Sequence, residues 1–110
     1  MLPGNVFCIS GGFQGQRDRV LSIATFCIDE MLPRHRTLDI DFHLDNYEHT
    51  ENVMGSCLHI GGNEFQLNID KKQKLYDLIL TVCHEMVHVK QYARKELKED
   101  YPRTLWFGKP

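Results

Sequence analysis

The C-terminal third of the chain carries the feature that most restricts the fold, an amphipathic run from about Lys72 to about Glu99. Its apolar residues recur every three or four positions, the period of an α-helix that buries one face. They are Leu75, Leu78, Ile79, Val82, Met86, Val89, Ala93 and Leu97. Asp70 is a predicted cap, and Pro102 sets the latest position at which the helix can end. We therefore expect one long helix that packs on a sheet.

The rest of the chain supplies strand patterns and one more helix. The helix is predicted over residues 16–32, where apolar spacing continues up to Pro33. Strand patterns occupy residues 5–9, 37–45, 57–60 and 64–70. The last two are separated by a Gly-Gly-Asn turn, as in a hairpin, and residues 46–56 read as a loop. This order predicts an α+β fold, a small mixed sheet of about four strands with two main helices.

Length and composition indicate one ordinary globular domain, residues 1–110. The chain is 42% hydrophobic and 25% charged, with a formal net charge of -2, so it lacks the basic surface typical of nucleic-acid binding. We expect no membrane span and no signal peptide, and hence a cytoplasmic protein. The four cysteines have no metal-ligand spacing and are predicted to be free, buried thiols.

The long helix contains the motif His-Glu-x-x-His at positions 84–88. At 100° per residue, His84 and His88 lie about 40° apart and one turn along the axis, so their imidazoles can reach one metal ion. Glu85 between them is placed to take a proton from a metal-bound water. Such a motif is typical of zinc hydrolases, and its glutamate acts as general base. The motif alone is also compatible with two histidines on a solvated helix face.

The helical wheel favours the metal site. With Leu75 at the origin, His84 and His88 fall at about 180° and 220°, opposite the predicted apolar stripe. They are therefore expected to face outward, into solvent or a cleft. A second histidine-and-acid cluster occurs in strand 37–45, where Asp39, Asp41, His43 and Asp45 share one side. We interpret it as the solvated face of a half-buried strand.

Strand 64–70 (EFQLNID) stands immediately before the helix. If it lies at the edge of the sheet, an extended peptide substrate could pair with its backbone. An ordinary edge strand without this role fits the residues equally well.

The segment EFQLNID, followed by LYDLILTVCHEMVHVKQYARKELK, resembles the small SprT-like metallopeptidases, especially those encoded by bacteriophages. The resemblance covers roughly residues 37–108, and GSCLHI at 55–60 contributes to it. It implies a zincin-like fold, Zn²⁺ held by His84 and His88, and Glu85 as the general base. It also places Gln91 and Tyr92 in the helix signature of the family, without a chemical role.

The chain departs from this family after the helix. WFGK at 106–109 is similar to a family element that precedes an acidic segment with the third zinc ligand, but the sequence stops at Pro110. We therefore expect a C-terminally truncated member. Residues that could replace the ligand lack support from spacing: His43, His49, His59, Glu96 and Glu99.

Two functional hypotheses follow from the resemblance. The first is a zinc metallopeptidase (endopeptidase) domain acting on a protein or peptide substrate, weak or inactive in this 110-residue form. The second is a non-catalytic zincin-like domain used for binding or assembly in a phage protein, located in the host cytoplasm. An exposed edge strand and the apolar tail LWF would favour a homodimer. Neither hypothesis involves a membrane or nucleic acid.

Overall fold

The computed structural model describes residues 4–46, 54–94 and 103–106, the last of these by backbone alone. Within these residues the chain forms five strands and two helices. In chain order they are β1 (Val6–Gly11), α1 (Gln14–Met31), β2 (Asp39–Asp45), β3 (Gly55–Gly61), β4 (Glu64–Asp70), α2 (Leu75–Ala93) and β5 (Arg103–Trp106). The predicted α+β fold, with its motif on the second helix, is confirmed.

The five strands form one mixed sheet in the order β1-β2-β4-β3-β5. β1 pairs with β2 and β2 with β4 in parallel, whereas β4–β3 and β3–β5 are antiparallel. β4 therefore lies in the middle of the sheet, and the prediction that it forms a substrate-binding edge is wrong. The hairpin partner β3 covers one side of β4, and β2 covers the other. Only the pairing of β4 with β2 joins segments that are distant in sequence, and this pairing places β4 in the middle of the sheet.

The hydrophobic core lies between the sheet and one helical layer. Strands β2 and β4 are in parallel register, so that Ile40 faces Phe65 and Phe42 faces Leu67 on the same side. These side chains are buried, together with Val20 and other residues of the two helices. The alternating polar residues of β2 and β4 lie on the opposite side of the sheet, as strict period-2 patterning requires.

Helix α2 begins later than predicted, at Leu75, after Lys74 in extended conformation. Asp70 is the last residue of β4, and its carboxylate accepts a hydrogen bond from the backbone N–H of Lys72 at 2.9 Å. Asp70 therefore stabilises the turn before the helix, and the prediction that it caps α2 is wrong. The predicted continuation from Ala93 to Glu99 lies outside the described residues.

The buried face of α2 is rotated relative to the predicted stripe. Leu75 and Ile79 are 47% and 37% exposed, although the pattern assigned both to the core. Thr81, Glu85 and Tyr92 are buried instead. This side of the helix packs against β3 and β4, and the contact is close because β3 begins with a glycine. The polar side of α2 is thus partly enclosed by the sheet.

Two segments near the sheet differ from the sequence prediction. Residues 103–106, read only as an apolar tail, form strand β5 beside β3. Gly55 and Ser56, assigned to a loop, open β3. All four cysteines are free as predicted. Cys27 and Cys57 are buried, but Cys8 is exposed and Cys83 is half-buried, so the predicted burial is wrong for these two. Among the described residues, neither helix is long and apolar enough to cross a membrane.

Candidate metal centre

His84 and His88 form the open side of the site. Both are half-buried, and the helix places them one turn apart on the rim of its buried face. Their rings meet nearly edge-on, at 79° with centroids 4.8 Å apart. As a result, the two Nε2 atoms are 3.2 Å from each other. The predicted convergence of the two imidazoles on one point is therefore present in the structure.

Gln91, one turn after His88, supports this arrangement. Its Oε1 atom lies 2.8 Å from Nδ1 of His88, on the side of the ring away from His84. The ring of His88 is thereby held between two partners, with its Nε2 atom directed towards His84. Gln91 belongs to the helix signature of the family that the sequence resembles, where no chemical role is predicted for it. The spacing of His88 and Gln91 indicates this contact, because residues three apart on a helix are neighbours.

Glu85 is fully buried beneath the first residues of β3. Its Cγ would lie 3.4 Å from a Cβ atom added at Gly55, and the thiol of Cys57 is near enough to interact electrostatically. Neither carboxylate oxygen has a hydrogen-bond partner within the described part of the chain. Burial raises the pKa of Glu85 to about 8. A buried carboxylate without partners is costly, so its presence calls for a ligand or a proton.

The histidines are electrostatically suited to metal binding. Burial lowers the pKa of His84, and the neighbouring His88 lowers it further. Both effects disfavour the imidazolium form, which cannot ligate a metal. His84 is therefore held more readily in the neutral form that offers a lone pair.

The geometry of the three side chains fits a metal ion. One ligand atom from each of His84, Glu85 and His88 lies within 4.8 Å of the others. Two nitrogens bound tetrahedrally at 2.0–2.1 Å would be roughly 3.3 Å apart. The observed Nε2–Nε2 separation of 3.2 Å is close to this value without any rearrangement. The group can therefore hold a metal ion, with the orphaned carboxylate of Glu85 beside it.

The other candidate ligands do not join this cluster. His43 is exposed on the polar side of β2. The ring of His59 packs against those of Phe65 and Tyr92, with ring centroids 4.9 and 5.0 Å away, and its Nε2 lies 2.8 Å from the carbonyl oxygen of Gly62. His49, Glu96 and Glu99 lie outside the described residues. Tyr92 thus has a packing role, as its position in an aromatic stack shows.

A hydrogen-bond network fixes α2 against the start of β3. The side chain of Gln73 donates to the backbone carbonyls of Met54 and Asp70, at 3.0 and 2.8 Å. Its Oε1 accepts a 2.6 Å bond from the hydroxyl of Thr81, one helical turn before Glu85. One amide thus links α2 to the last residue of β4 and to the residue before β3, close to Glu85.

Gly55 is the residue that lets the helix and strand approach. A Cβ atom at this position would lie 2.7 Å from Cγ2 of Thr81 and 3.3 Å from the carbonyl oxygen of Asn68. No real side chain fits without a shift of α2 or β4. The sequence predicts a loop at Gly55, and only the packing of β3 on α2 explains the glycine.

Comparison of the chain with protein-family models, with curated proteins and with solved structures gives no match. The site is therefore interpreted from its own geometry and from the resemblance of its residues to a family motif.

Proposed function

We propose that this chain is a zinc metallopeptidase domain of the SprT-like class that hydrolyses internal peptide bonds of a protein or peptide. His84 and His88 hold Zn²⁺ through Nε2, and Glu85 is the general base. The proposal is supported by the motif and by the similarity of HEMVHVKQYARKEL at 84–97 to that class. It rests above all on one observation, the 3.2 Å convergence of two Nε2 atoms beside a buried carboxylate without partners.

Each side chain has a distinct task in this proposal. A bound zinc ion lowers the pKa of its water towards neutrality. His84 and His88 would hold the ion through their Nε2 atoms, and Gln91 fixes the orientation of the His88 ring. Glu85 accepts the proton of the nucleophilic water and delivers it to the leaving amine. Neither of its carboxylate oxygens has a hydrogen-bond partner in the described part of the chain, so both are available for this exchange.

Substrate binding is assigned to the edge at β5. In the described part of the sheet, β5 is the outermost strand on the side of α2, and its residue Trp106 pairs with Gly55 directly above Glu85. An extended peptide added to the backbone of β5 would run past the metal site. This edge replaces β4, which is paired on both sides.

The test is zinc content and cleavage of an unfolded protein substrate by the chain and two variants. We expect equal zinc content in the wild type and in Glu85→Gln. Cleavage should be weak in the wild type, because the cluster offers only two nitrogen ligands, and absent in Glu85→Gln. Glu85→Gln retains the size of the side chain but cannot accept a proton. His43→Ala serves as the matched control, because it removes an exposed histidine outside the cluster.

The outcomes separate the enzymatic hypothesis from the binding one. Cleavage that depends on Glu85 and on zinc supports the peptidase. Stoichiometric zinc without cleavage of any unfolded substrate favours the non-catalytic zincin-like domain. Absence of zinc at micromolar concentrations contradicts the peptidase and leaves the non-catalytic domain as the alternative.

A further inference from the structure

The contact between His88 and Gln91 determines more than the orientation of a ring. We propose that Gln91 is a positioning residue that selects the Nδ1–H tautomer of His88, and so reserves Nε2 for the metal. The inference rests on the proposed metal site but not on peptidase activity. It begins from the 2.8 Å separation between Nδ1 of His88 and Oε1 of Gln91.

An amide oxygen can only accept a hydrogen bond, so Nδ1 of His88 must donate. In a neutral imidazole the other nitrogen then carries the lone pair. That nitrogen is Nε2, which lies 3.2 Å from Nε2 of His84. Gln91 therefore prepares His88 for metal binding before any metal arrives.

The contact with Gln91 also determines which histidine donates the hydrogen bond between the two Nε2 atoms. If Nε2 of His88 is the acceptor in the metal-free chain, the 3.2 Å contact is a hydrogen bond donated by Nε2–H of His84. The two rings thus have opposite tautomers without metal. When a metal binds, only His84 has to move its proton to the other nitrogen, and His88 is unchanged.

Position on the helix explains why this residue can act. Residue 91 is three positions after residue 88, and a glutamine there reaches the nitrogen that faces away from His84. Gln91 and His88 are both half-buried, so water competes only partly for the hydrogen bond. Partners of this kind commonly change metal affinity by roughly 10- to 100-fold.

The first measurement is the tautomer itself. Long-range ¹H–¹⁵N spectra of the imidazole rings of the metal-free chain, at about pH 8, distinguish protonated from bare nitrogens in neutral rings. We expect Nδ1–H for His88 and Nε2–H for His84 in the wild type. In Gln91→Met, His88 should lose its preference for Nδ1–H. A wild-type His88 that carries its proton on Nε2 overturns the proposal, because Gln91 then donates through its amide nitrogen.

The second measurement is zinc affinity, by competition with a chromophoric chelator. Gln91→Met, which retains length but not the acceptor, should bind zinc roughly 10- to 100-fold more weakly. Gln91→Glu keeps an acceptor and should stay within about threefold of the wild type or bind more tightly. Gln14→Met, at an exposed glutamine of α1, is the matched control and should not change affinity.

These readouts do not depend on the proposed reaction. A chain that binds zinc without cleaving peptides still tests the role of Gln91. If the wild type binds no zinc, the proposed function fails and the tautomer of His88 still decides the inference. Zinc affinity of Gln91→Met within about twofold of the wild type contradicts the positioning role, and a merely structural role would lower stability without changing the tautomer.

Discussion

Strand β2 and helix α2 both carry histidine close to carboxylates in the sequence. On β2, Asp39, His43 and Asp45 are exposed on the polar side of the sheet, and Asp41 is half-buried there. On α2, His84, Glu85 and His88 bring ligand atoms within 4.8 Å. Among the described residues, these three alone form a cluster able to hold a metal ion.

The difference comes from spacing and from what covers each element. Residues on the same side of a strand are about 6.5–7 Å apart and their side chains stay roughly parallel. Residues four apart on a helix are about 5–6 Å apart and their side chains can converge. In addition, β3 lies over Glu85, whereas the polar side of β2 is open to solvent. Residue types alone do not make a site; convergence and desolvation do.

Removing a histidine from each cluster should give the largest contrast. His84→Ala deletes one of two nitrogen ligands, and we expect zinc affinity to fall by at least about 1,000-fold, or about 4 kcal/mol. His43→Ala should leave it within about twofold. Competition with a chelator measures both. Equal losses in the two variants would show that the ion is held elsewhere.

Removing a carboxylate from each cluster should change the pH dependence of stability in only one case. Burial raises the pKa of Glu85 from 4.5 to about 8, so between these values the folded chain holds a proton that the unfolded chain releases. The free energy of unfolding of the metal-free chain should therefore fall as pH rises through this range, by up to about 5 kcal/mol. Protonated Glu85 contributes fully below about pH 4.5.

Chemical denaturation in the presence of a chelator, from about pH 5 to about pH 8.5, tests this. Glu85→Gln should lose most of the dependence, since a neutral amide does not titrate. Asp41→Asn on β2 should retain it. If the wild type and Glu85→Gln have parallel profiles, Glu85 is ionised in the folded chain and has an unidentified partner.

The close contact that desolvates Glu85 can be weakened directly. Gly55→Ala places a methyl group 2.7 Å from Thr81, which should displace α2 and destabilise the chain by about 2 kcal/mol. Zinc affinity should fall as well, because the displaced helix carries both histidines. Gly4→Ala is the control, with open space around the added atom. Unchanged stability in Gly55→Ala would mean that the packing of β3 on α2 is looser than described.

The hydrogen bond behind this contact should have the smallest effect. Thr81→Val removes the donor to Gln73 without changing the shape, and we expect a loss of about 1 kcal/mol. Thr25→Val removes an exposed hydroxyl bonded to the carbonyl of Leu21 within α1 and should change stability by less than about 0.5 kcal/mol. Thermal or urea unfolding distinguishes them. A larger loss in Thr25→Val would assign the difference to helix propensity.

Much of the fold could be predicted because its patterns are local. Strand β4 begins and ends at the predicted residues, and the alternation in β2 correctly separated Phe42 from Asp41. The burial of α2 was predicted less well. Leu75 and Ile79 fit the helical period, but the face that is covered depends on where β3 approaches. The hydrophobic period locates the buried face of a helix only approximately. The element that packs against the helix decides which residues at the border of that face are covered.

The sequence by itself determined that His84 and His88 share one side of a helix and that Glu85 lies beside them, since that relation depends only on helical geometry. Tertiary structure decided that β4 is central, that β5 joins β3, and that Glu85 is buried beneath Gly55. These outcomes depend on pairing between segments far apart in the chain. Local periodicity does not encode which strand will be the neighbour, and burial follows only when the neighbour is in place.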